Sequence, residues 1–334
     1  MNNGRRPLVV ICGPTAVGKT EVGILVARRL GGEVVSADSM MVYRGMNIGT
    51  AKPTVEERQG VPHHLIDIVD PDTPFSVALY QHLAEKSIAA IHARGRLPLL
   101  VGGTGLYIRS VVDPYRFVAG PDPALRRRLM EEARLEGPEA LHARLAAVDP
   151  VAAGRIHPHN VRRVIRALEV YHQTGKPISS FQDAGRETAS KYLLWMFGLT
   201  MPREKLYRHI EERVDRMLAA GLVEEVQNLL KRGYRRHQVS MQALGYKEIA
   251  AYLEGELSLE EAVRLLKRNT RRFAKRQFTW FRRDPRIRWL DVDALGGPAG
   301  AAEEIIAFLE GLPAGVNWQP AKPYNDNFRL EGRR

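Results

Sequence analysis

A glycine-rich segment near the start of the chain is the sequence feature that most constrains its fold. Residues 13–20 follow the apolar run 8–12 and lead into a segment, 22–30, whose apolar residues lie on one helical face. This order is typical of a phosphate-binding loop between a buried strand and a helix N-terminus, as in nucleotide-binding and ATP-binding proteins. There, backbone N–H groups and the helix dipole hold phosphate oxygens, and a lysine adds positive charge. The alternative is a plain turn between strand and helix. The predicted loop comprises Gly13, Pro14, Thr15, Ala16, Val17, Gly18, Lys19 and Thr20, whose hydroxyl can bind Mg²⁺.

The composition predicts a globular protein outside membranes. The chain has 334 residues, 44% of them apolar, enough for a large core in two domains or in one domain with an insertion. No apolar run approaches the roughly 18 residues that span a bilayer, and residues 1–6 lack the apolar core of a signal peptide. We therefore expect a cytoplasmic protein with no membrane partner. The single cysteine, Cys12, excludes disulfides within the chain and cysteine-based zinc sites.

The charge of the chain predicts a polyanionic partner. Fifty Lys and Arg against 38 Asp and Glu give a formal net charge of +12. The segment 264–283 holds nine Lys or Arg and no acidic residue, with Phe and Trp between them. A basic helical face with aromatic side chains suits the phosphate backbone and unstacked bases of nucleic acid. The alternative is a solvated basic surface, although a merely solvated helix usually mixes both signs of charge. Shorter clusters at 126–128 and 162–166 repeat the basic pattern.

Strand-like and helix-like segments alternate along much of the chain. This alternation predicts an α/β fold, a mostly parallel, P-loop NTPase-like sheet flanked by helices. The predicted strands are 8–12, 34–36, 99–101, 193–199 and 287–290, and the predicted helices are 126–134, 138–147, 161–174, 203–218, 222–232, 242–254 and 259–281. Strand signals are missing from 121–190, which predicts a helical insertion. The predicted organisation is therefore a core in two parts, 1–120 and 191–312, the insertion, 121–190, and a disordered tail, 313–334.

Two polar residues follow predicted strands at the edge where a parallel sheet binds ligands. Asp38 comes just after the second strand and suits a metal ligand or a proton acceptor, with a helix N-cap as the alternative. Thr104 belongs to the turn 102–105 after the third strand, where glycines allow a ligand to approach the backbone, with a simple connection as the alternative. Many P-loop NTPases carry an acid there to order Mg²⁺ and water. The glycines in its place argue against ATP hydrolysis.

Arg213 lies beside the apolar stripe of the predicted helix 203–218. From the border of a buried face, an arginine can direct its guanidinium into a cleft. The alternative is a surface arginine that snorkels to solvent or pairs along the helix.

A set of motifs along the chain resembles one family. The motifs are GPTAVGKT at 13–20, DS at 38–39, VYRGM at 42–46, IGTAKP at 48–53, GGT at 102–104, LY at 106–107, DP at 149–150, RIHP at 155–158, RALEV at 166–170, GY at 245–246, KRQ at 275–277 and TW at 279–280. With them the chain resembles the bacterial tRNA dimethylallyltransferases from about Leu8 to Leu309. That family transfers a dimethylallyl group from its diphosphate to an adenine beside the anticodon of tRNA.

The resemblance implies roles for the residues of the predicted cleft. Thr15, Lys19 and Arg213 match ligands of the diphosphate, whose charge they stabilise as the allylic C–O bond breaks, and Mg²⁺ at Thr20 would do the same. Asp38 matches the general base toward the exocyclic amine of the adenine. The loop then holds a leaving diphosphate and not a transferred phosphoryl group, which explains the missing acid.

The resemblance also implies which segments contact tRNA. Thr104 matches a residue that contacts the target and helps to position the reacting groups. The expected contacts are Asp38, Ser39, Met40, Met41, Thr104, Arg126, Arg162, Arg163, Val164, Ile165, Arg166, Gln242, Ala243, Leu244, Gly245, Tyr246, Lys247, Lys275, Arg276, Gln277, Phe278, Thr279, Trp280, Phe281 and Arg282. The insertion would bind the anticodon stem-loop, and the chain would act as a monomer on tRNA and dimethylallyl diphosphate with Mg²⁺.

Two other functions are alternatives. A small-molecule kinase of the P-loop class would show ATP hydrolysis or phosphoryl transfer. A non-catalytic, GTPase-like RNA-binding module is disfavoured, because the chain has no Asn-Lys-x-Asp guanine motif.

Overall fold

One parallel sheet forms the centre of the fold. The computed structural model describes residues 5–114, 117, 120–183, 190–312 and 324, so the predicted disordered tail lies outside the described residues apart from Tyr324. The strands are β1 (Arg6–Cys12), β2 (Glu33–Ser36), β3 (His63–His64), β4 (Pro98–Gly102), β5 (Tyr192–Thr200) and β6 (Ile287–Asp291). Their order is β3-β2-β4-β1-β5-β6, and all neighbouring pairs are parallel. The predicted α/β fold with a parallel sheet is confirmed.

Helices make up most of the remaining described chain. They are α1 (Lys19–Leu30), α2 (Val77–Ala93), α3 (Gly105–Val112), α4 (Pro123–Glu136), α5 (Pro138–Val148), α6 (Pro150–Arg155), α7 (Val161–Thr174), α8 (Ile178–Asp183), α9 (Arg203–Ala219), α10 (Leu222–Lys231), α11 (Tyr246–Leu253), α12 (Leu259–Phe281) and α13 (Pro298–Glu310). A capping box starts α12, because Ser258 and Glu261 each accept the backbone N–H of the other with their side chains. Within the described ranges, no helix is long and apolar enough to cross a membrane.

The sheet is buried on both faces, which is why its strands appear in the sequence as continuous apolar runs. Along β1, Val9 and Ile11 point to the face covered by α1 and α13. Leu8, Val10 and Cys12 point to the opposite face, covered by α2 and α3. Burial raises the pKa of the Cys12 thiol to about 12. The lone cysteine is therefore a protonated core residue.

The chain groups into two compact units, Met1–Val112 with Lys191–Arg334, and Asp113–Ser190. The first unit contains the sheet and a second apolar cluster, in which residues of α9, α10, α11 and α12 pack together. The second unit contains α4 to α8 around an apolar cluster of its own. The predicted insertion, 121–190, falls within the second unit, and its role in binding RNA stays a prediction.

The structure corrects two local predictions. The helix predicted over 242–254 begins only at Tyr246, because Gly245 has a φ of 92°, outside the helical region, and Ser240–Gln242 forms a short 3₁₀ helix. β3 has no recognisable signal, since two residues are too few for an alternating pattern. Parallel pairing of Val34 with His63 adds β3 to the edge of the sheet.

Candidate active site

A cavity of the first unit opens near the carboxyl ends of β2 and β4 and encloses about 630 Å³, counting the space open to solvent. Polar side chains that line it include Thr15, Lys19, Thr20, Asp38 and Arg213. Apolar side chains that line it include Val34, Pro53, Ile66 and Phe273. Ligands of open parallel sheets bind at this edge. The structure thus brings together the predicted phosphate ligands, the predicted base and an apolar surface.

The phosphate-binding loop joins the end of β1 to the start of α1, as the sequence predicts. Gly18 directly precedes α1 with a φ of 94°, a conformation that glycine adopts without strain. At Gly13 the φ is 143°, and a Cβ atom would lie 2.6 Å from the carbonyl oxygen of Leu199 in β5. Ala16 has a φ of 65°, which is unusual for alanine. Close packing against β5 and the start of α1 therefore fix the shape of the loop.

Two cations face one carboxylate at the polar end of the cavity. Lys19 Nζ donates to the Pro14 carbonyl oxygen at 2.6 Å. Burial, with a smaller effect of the charge on Arg213, lowers the pKa of Lys19 to about 8, while Asp38 opposes this shift. Burial also lowers the pKa of Arg213, again against the influence of Asp38. Burial is the main cause of both shifts, and one carboxylate faces two buried cations, so this end suits a ligand with several negative charges.

Asp38 opens a tight turn and does not cap a helix. Its Oδ1 accepts the backbone N–H of Met40 at 2.8 Å and, more weakly, that of Met41 at 3.4 Å. The residues that follow form bends and turns, so the N-cap alternative is wrong. Within the described residues, Oδ2 accepts no hydrogen bond. The turn thus holds one carboxylate oxygen and leaves the other able to accept a proton.

Thr104 supports the turn that carries Asp38. Its Oγ1 accepts the backbone N–H of Ser39 at 3.1 Å, and its own N–H donates to the Ala37 carbonyl oxygen at 3.0 Å. At Gly102 a Cβ atom would lie 2.2 Å from that same oxygen, so the close approach requires glycine. Gly102 lines the cavity, whereas Thr104 is not one of its lining residues. The contacts therefore place Thr104 as a support for the Asp38 turn.

The basic helix α12 has two different sides. On the side toward α9, Lys267 pairs with Asp215 at 2.6 Å and Arg271 pairs with Glu211. The other side carries exposed basic residues that form no ion pair with any described carboxylate, and we call these five residues the outer face of α12. They are Arg264, Arg268, Arg272, Lys275 and Arg276. Within α12, the unneutralised charge that the sequence predicts thus lies on this face.

The predicted tRNA contact set includes both buried and exposed side chains. Several of those side chains are buried, because consecutive residues of a helix or turn point to different sides. The buried ones are Val164, Ile165, Ala243, Tyr246, Gln277 and Phe281. These side chains are turned away from the outer surface, although Gln277 lines the cavity. The contacts predicted for their segments stay predictions. The exposed ones, which stay predicted contacts, are Arg162, Arg163, Gln242, Lys275, Arg276, Thr279, Trp280 and Arg282.

Two more predicted RNA contacts have carboxylate partners inside the second unit. Arg126 donates twice to Glu169, at 2.7 and 2.8 Å, and Arg166 donates to it at 2.5 Å. Glu169 is 0% exposed. Burial acts to raise the pKa of Glu169, but hydrogen bonds from Arg126, the Asp122 N–H and Arg166 outweigh it and lower that pKa. Arg126 and Arg166 therefore join α4 to α7 around a buried charge.

Some residues of the cavity carry no signal in the sequence. His63 and Ile66 reach it because β3 pairs beside β2. Burial lowers the pKa of His63 to about 4, so this ring is neutral near pH 7 and belongs with the apolar surface. The start of the segment 48–53 is held by a residue far away in the sequence. Glu225 of α10 accepts the backbone N–H groups of residues 47–49.

The residues present are compatible with Mg²⁺. In the part of the chain that the structure describes, no group of three or more His, Cys, Asp or Glu side chains could hold a metal ion. Mg²⁺ needs no such cluster, because it is usually bound through one or two protein ligands, water and substrate phosphates. Thr20 follows Lys19 at the start of α1 and lines the same cavity as Asp38. A hydroxyl beside a phosphate site is the kind of ligand this ion uses.

Comparison with known families decides the class of protein. A family model described as IPP transferase matches residues 41–284, and a second, isopentenyl transferase, matches residues 7–68. The chain belongs to the IPP transferase family. A tRNA dimethylallyltransferase of Desulforudis audaxviator is 65% identical over 304 residues, which cover 91% of this chain and 98% of the relative. One of Pelotomaculum thermopropionicum is 58% identical over 311 residues, covering 93% and 98%.

Solved structures agree with the assignment to the IPP transferases. The tRNA isopentenylpyrophosphate transferase of Bacillus halodurans is 49% identical, with a TM-score of 0.66, and the match covers 92% of this chain and 96% of that one. A eukaryotic dimethylallyltransferase acting on tRNA is 29% identical, with a TM-score of 0.80, covering 94% and 82%. The resemblance found in the sequence is confirmed, and a P-loop small-molecule kinase and a GTPase-like module are not supported.

Proposed function

We propose that this chain transfers a dimethylallyl group from dimethylallyl diphosphate to the exocyclic N6 amine of the adenine 3′-adjacent to the anticodon of a tRNA, and releases diphosphate. The observation that carries this proposal is the cavity in which Lys19, Arg213 and Asp38 meet beside an apolar surface. Membership of the IPP transferase family supplies the reaction class, and the relatives named above act on tRNA.

In this proposal the polar end of the cavity binds the diphosphate. The backbone N–H groups of the loop, Lys19 and Arg213 contact its oxygens, and their charge stabilises the leaving group as the allylic C–O bond breaks. Mg²⁺ bound through Thr20 would add positive charge at the same oxygens. Diphosphate binding should raise the pKa of Lys19, since a bound anion counteracts the burial that lowers it. Val34, Pro53 and Ile66 suit the apolar five-carbon chain.

Asp38 is the proposed general base. The lone pair of the adenine amine is delocalised into the ring, so attack on the allylic carbon is helped by removal of a proton as the new bond forms. The N6–carbon bond forms, the carbon–oxygen bond to diphosphate breaks, and the amine proton passes to Oδ2 of Asp38. The hydrogen bonds from Met40 and Met41 to Oδ1 orient the carboxylate for this step.

The acceptor must present its adenine to the cavity. The target base leaves its stack at a cost of a few kcal/mol, and contacts between basic side chains and phosphates offset that cost. The outer face of α12 and the exposed arginines of α7 are the proposed contacts in each unit, and we assign the anticodon stem-loop to the second unit. The chain is proposed to act as a monomer, in the cytoplasm because that compartment holds the tRNA pool of bacteria.

The test is transfer of radiolabel from dimethylallyl diphosphate to unmodified tRNA with Mg²⁺, beside an assay for ATP hydrolysis. Label in the tRNA without ATP turnover is the expected result, whereas ATP turnover without label would support a kinase. Asp38→Ala should lower the transfer rate by roughly 10²–10⁴-fold, as expected for a lost general base, with nearly unchanged tRNA binding. Asp70→Ala, at an exposed partner of Arg44, is the control. Near-normal transfer by Asp38→Ala would remove Asp38 from the mechanism.

A further inference from the structure

One buried amide of α12 connects the two loops that form the polar end of the cavity. Gln277 is 6% exposed and lines the cavity. Its Oε1 accepts the backbone N–H of Thr15 in the phosphate-binding loop at 2.8 Å. Its Nε2 donates to the carbonyl oxygen of Gly103, in the turn after β4, at 3.0 Å. The side chain therefore bridges segments that lie 262 and 174 residues away from it in the sequence.

The two loops that Gln277 joins serve the two reacting partners. Thr15 belongs to the loop proposed to hold the diphosphate. Gly103 belongs to the turn that binds the Asp38 segment, since the next residue donates to Ala37 and accepts from Ser39. The bridge therefore sets the distance between the phosphate-binding loop and the proposed base. Contact with the turn is tight, because a Cβ atom at Gly103 would lie 2.3 Å from Nε2 of Gln277.

Only a primary amide of this length satisfies both loops. The Thr15 N–H needs an acceptor and the Gly103 carbonyl needs a donor, and the glutamine amide supplies both. A glutamate would keep the acceptor, lose the donor and add negative charge where a diphosphate is to bind. A leucine of similar size would fill the space and leave both backbone groups without this partner.

The helix that carries the bridge also carries the surface proposed for RNA. Lys275 and Arg276, directly before Gln277, belong to the outer face of α12. One turn further, Trp280 lies against the start of α3, where a Cβ atom at Gly105 would be 2.2 Å from its ring. RNA held on this turn of α12 thus binds a helix whose Gln277 contacts both loops.

We propose that Gln277 is a positioning residue that couples tRNA binding on α12 to diphosphate binding in the phosphate-binding loop. The inference rests on the proposed function. An RNA that holds α12 in place fixes the Thr15 N–H and the Gly103 carbonyl through one side chain, so the diphosphate site becomes ordered when the acceptor is present. Because binding linkage is reciprocal, diphosphate must strengthen tRNA binding by the same factor.

The test is the affinity of the full chain for inorganic pyrophosphate with Mg²⁺, measured by calorimetry with and without saturating unmodified tRNA. In the unaltered chain, tRNA should strengthen pyrophosphate binding by at least about 5-fold, the low end of typical coupling. In Gln277→Leu the ratio of pyrophosphate affinities with and without tRNA should fall to near one, while the affinity for tRNA alone changes little. Transfer assays on the same variant, at saturating dimethylallyl diphosphate, should show a lower kcat and a KM for tRNA that rises by about the lost coupling factor.

Two further variants keep the result interpretable. Thr270→Val removes another buried polar group of α12, whose hydroxyl donates within the described chain only to the Leu266 carbonyl oxygen of the same helix. This variant should keep the full strengthening of pyrophosphate binding by tRNA. Gln277→Glu keeps the acceptor toward Thr15, and it should also lose the coupling because the Gly103 contact is gone. It replaces Gln277→Leu if that variant fails to fold in a thermal unfolding assay.

The outcomes separate this inference from the proposed function. A tRNA-dependent ratio that persists in the Gln277 variants, or that is absent from the unaltered chain, overturns the coupling role. If the unaltered chain transfers no label from dimethylallyl diphosphate to tRNA, the proposed function fails, whatever the pyrophosphate ratio. Label transfer together with an unchanged ratio in Gln277→Leu refutes the coupling alone.

Discussion

Two basic regions of the molecule resemble each other in sequence and differ in what their charges do. In the second unit, Arg126 and Arg166 point their guanidinium groups at Glu169, which the fold has removed from water. On the outer face of α12, exposed cations have no carboxylate partner within the described chain. The first set neutralises a charge that the protein itself has buried, and the second is free to meet phosphates. The partner of a cation, and not the number of cations, separates a structural from a binding role.

The largest expected effect concerns the second unit. Replacing both Arg126 and Arg166 by alanine should destabilise this unit by about 3–5 kcal/mol, because Glu169 then stays buried without a cation. Loss of hydrogen-exchange protection in α4 and α7 measures the effect. Arg127→Ala with Arg163→Ala, at exposed positions nearby, is the control and should change stability by less than about 0.5 kcal/mol.

The pH dependence of this variant provides a second check. The folded pKa of Glu169 lies below its ordinary value of 4.5, so its contribution to stability is present above that value and is lost as pH falls through the folded pKa. The difference in free energy of unfolding between the unaltered chain and the double variant should therefore be greatest near neutral pH and should become smaller in acid. A constant difference from pH 7 to pH 3 would mean that Glu169 is not its source.

The outer face of α12 should show the opposite behaviour. Arg272→Glu with Lys275→Glu should weaken tRNA binding roughly 10- to 100-fold and lower the slope of log affinity against log salt by about 2, since two phosphate contacts are lost. Stability should change by less than about 0.5 kcal/mol, and pyrophosphate affinity without tRNA should stay the same. The control is Arg29→Glu with Arg288→Glu, which makes the same change of charge away from α12 and should leave the salt slope as it is. An unchanged salt slope would place the RNA on another surface.

The smallest expected effect lies on the other side of the same helix. Glu211→Gln frees Arg271 from its partner, and the loss of a partly exposed ion pair should cost about 0.2–1 kcal/mol. The freed guanidinium should leave tRNA affinity equal or slightly higher in a filter-binding assay. A loss of stability of several kcal/mol would instead place Arg271 with Arg126 and Arg166 as a structural cation.

Local patterns in the sequence were sufficient for some parts of the molecule. The phosphate-binding loop was predictable because the strand, the glycines, the lysine and the helix follow one another within about 25 residues of sequence. The bounds of α12 were predictable because a serine cap, an acidic first turn and an apolar stripe are all local signals. The parallel sheet followed from the alternation of elements.

Other parts depend on contacts that no local pattern reveals. Glu225 accepts N–H groups from residues 47–49 and the hydroxyl hydrogen of Tyr246 at 2.6 Å. At Gly49 a Cβ atom would lie 2.4 Å from the Tyr246 ring. The segment 48–53 and the pair 245–246 were recognised in the sequence as separate motifs, and their meeting at one carboxylate requires the folded chain. Gln277 was predicted to contact RNA for the same reason, since its two backbone partners are distant in sequence.

The strand order also has a consequence for synthesis on the ribosome. β1 pairs with β4 on one side and with β5 on the other, and the second unit is encoded between β4 and β5. At about 5–20 residues per second, β1 waits roughly 10–40 s for β5 to be made. During that time its free side is an unpaired strand edge of apolar sequence, the kind of surface on which chains associate. The nascent chain therefore needs protection from aggregation just when the second unit is emerging.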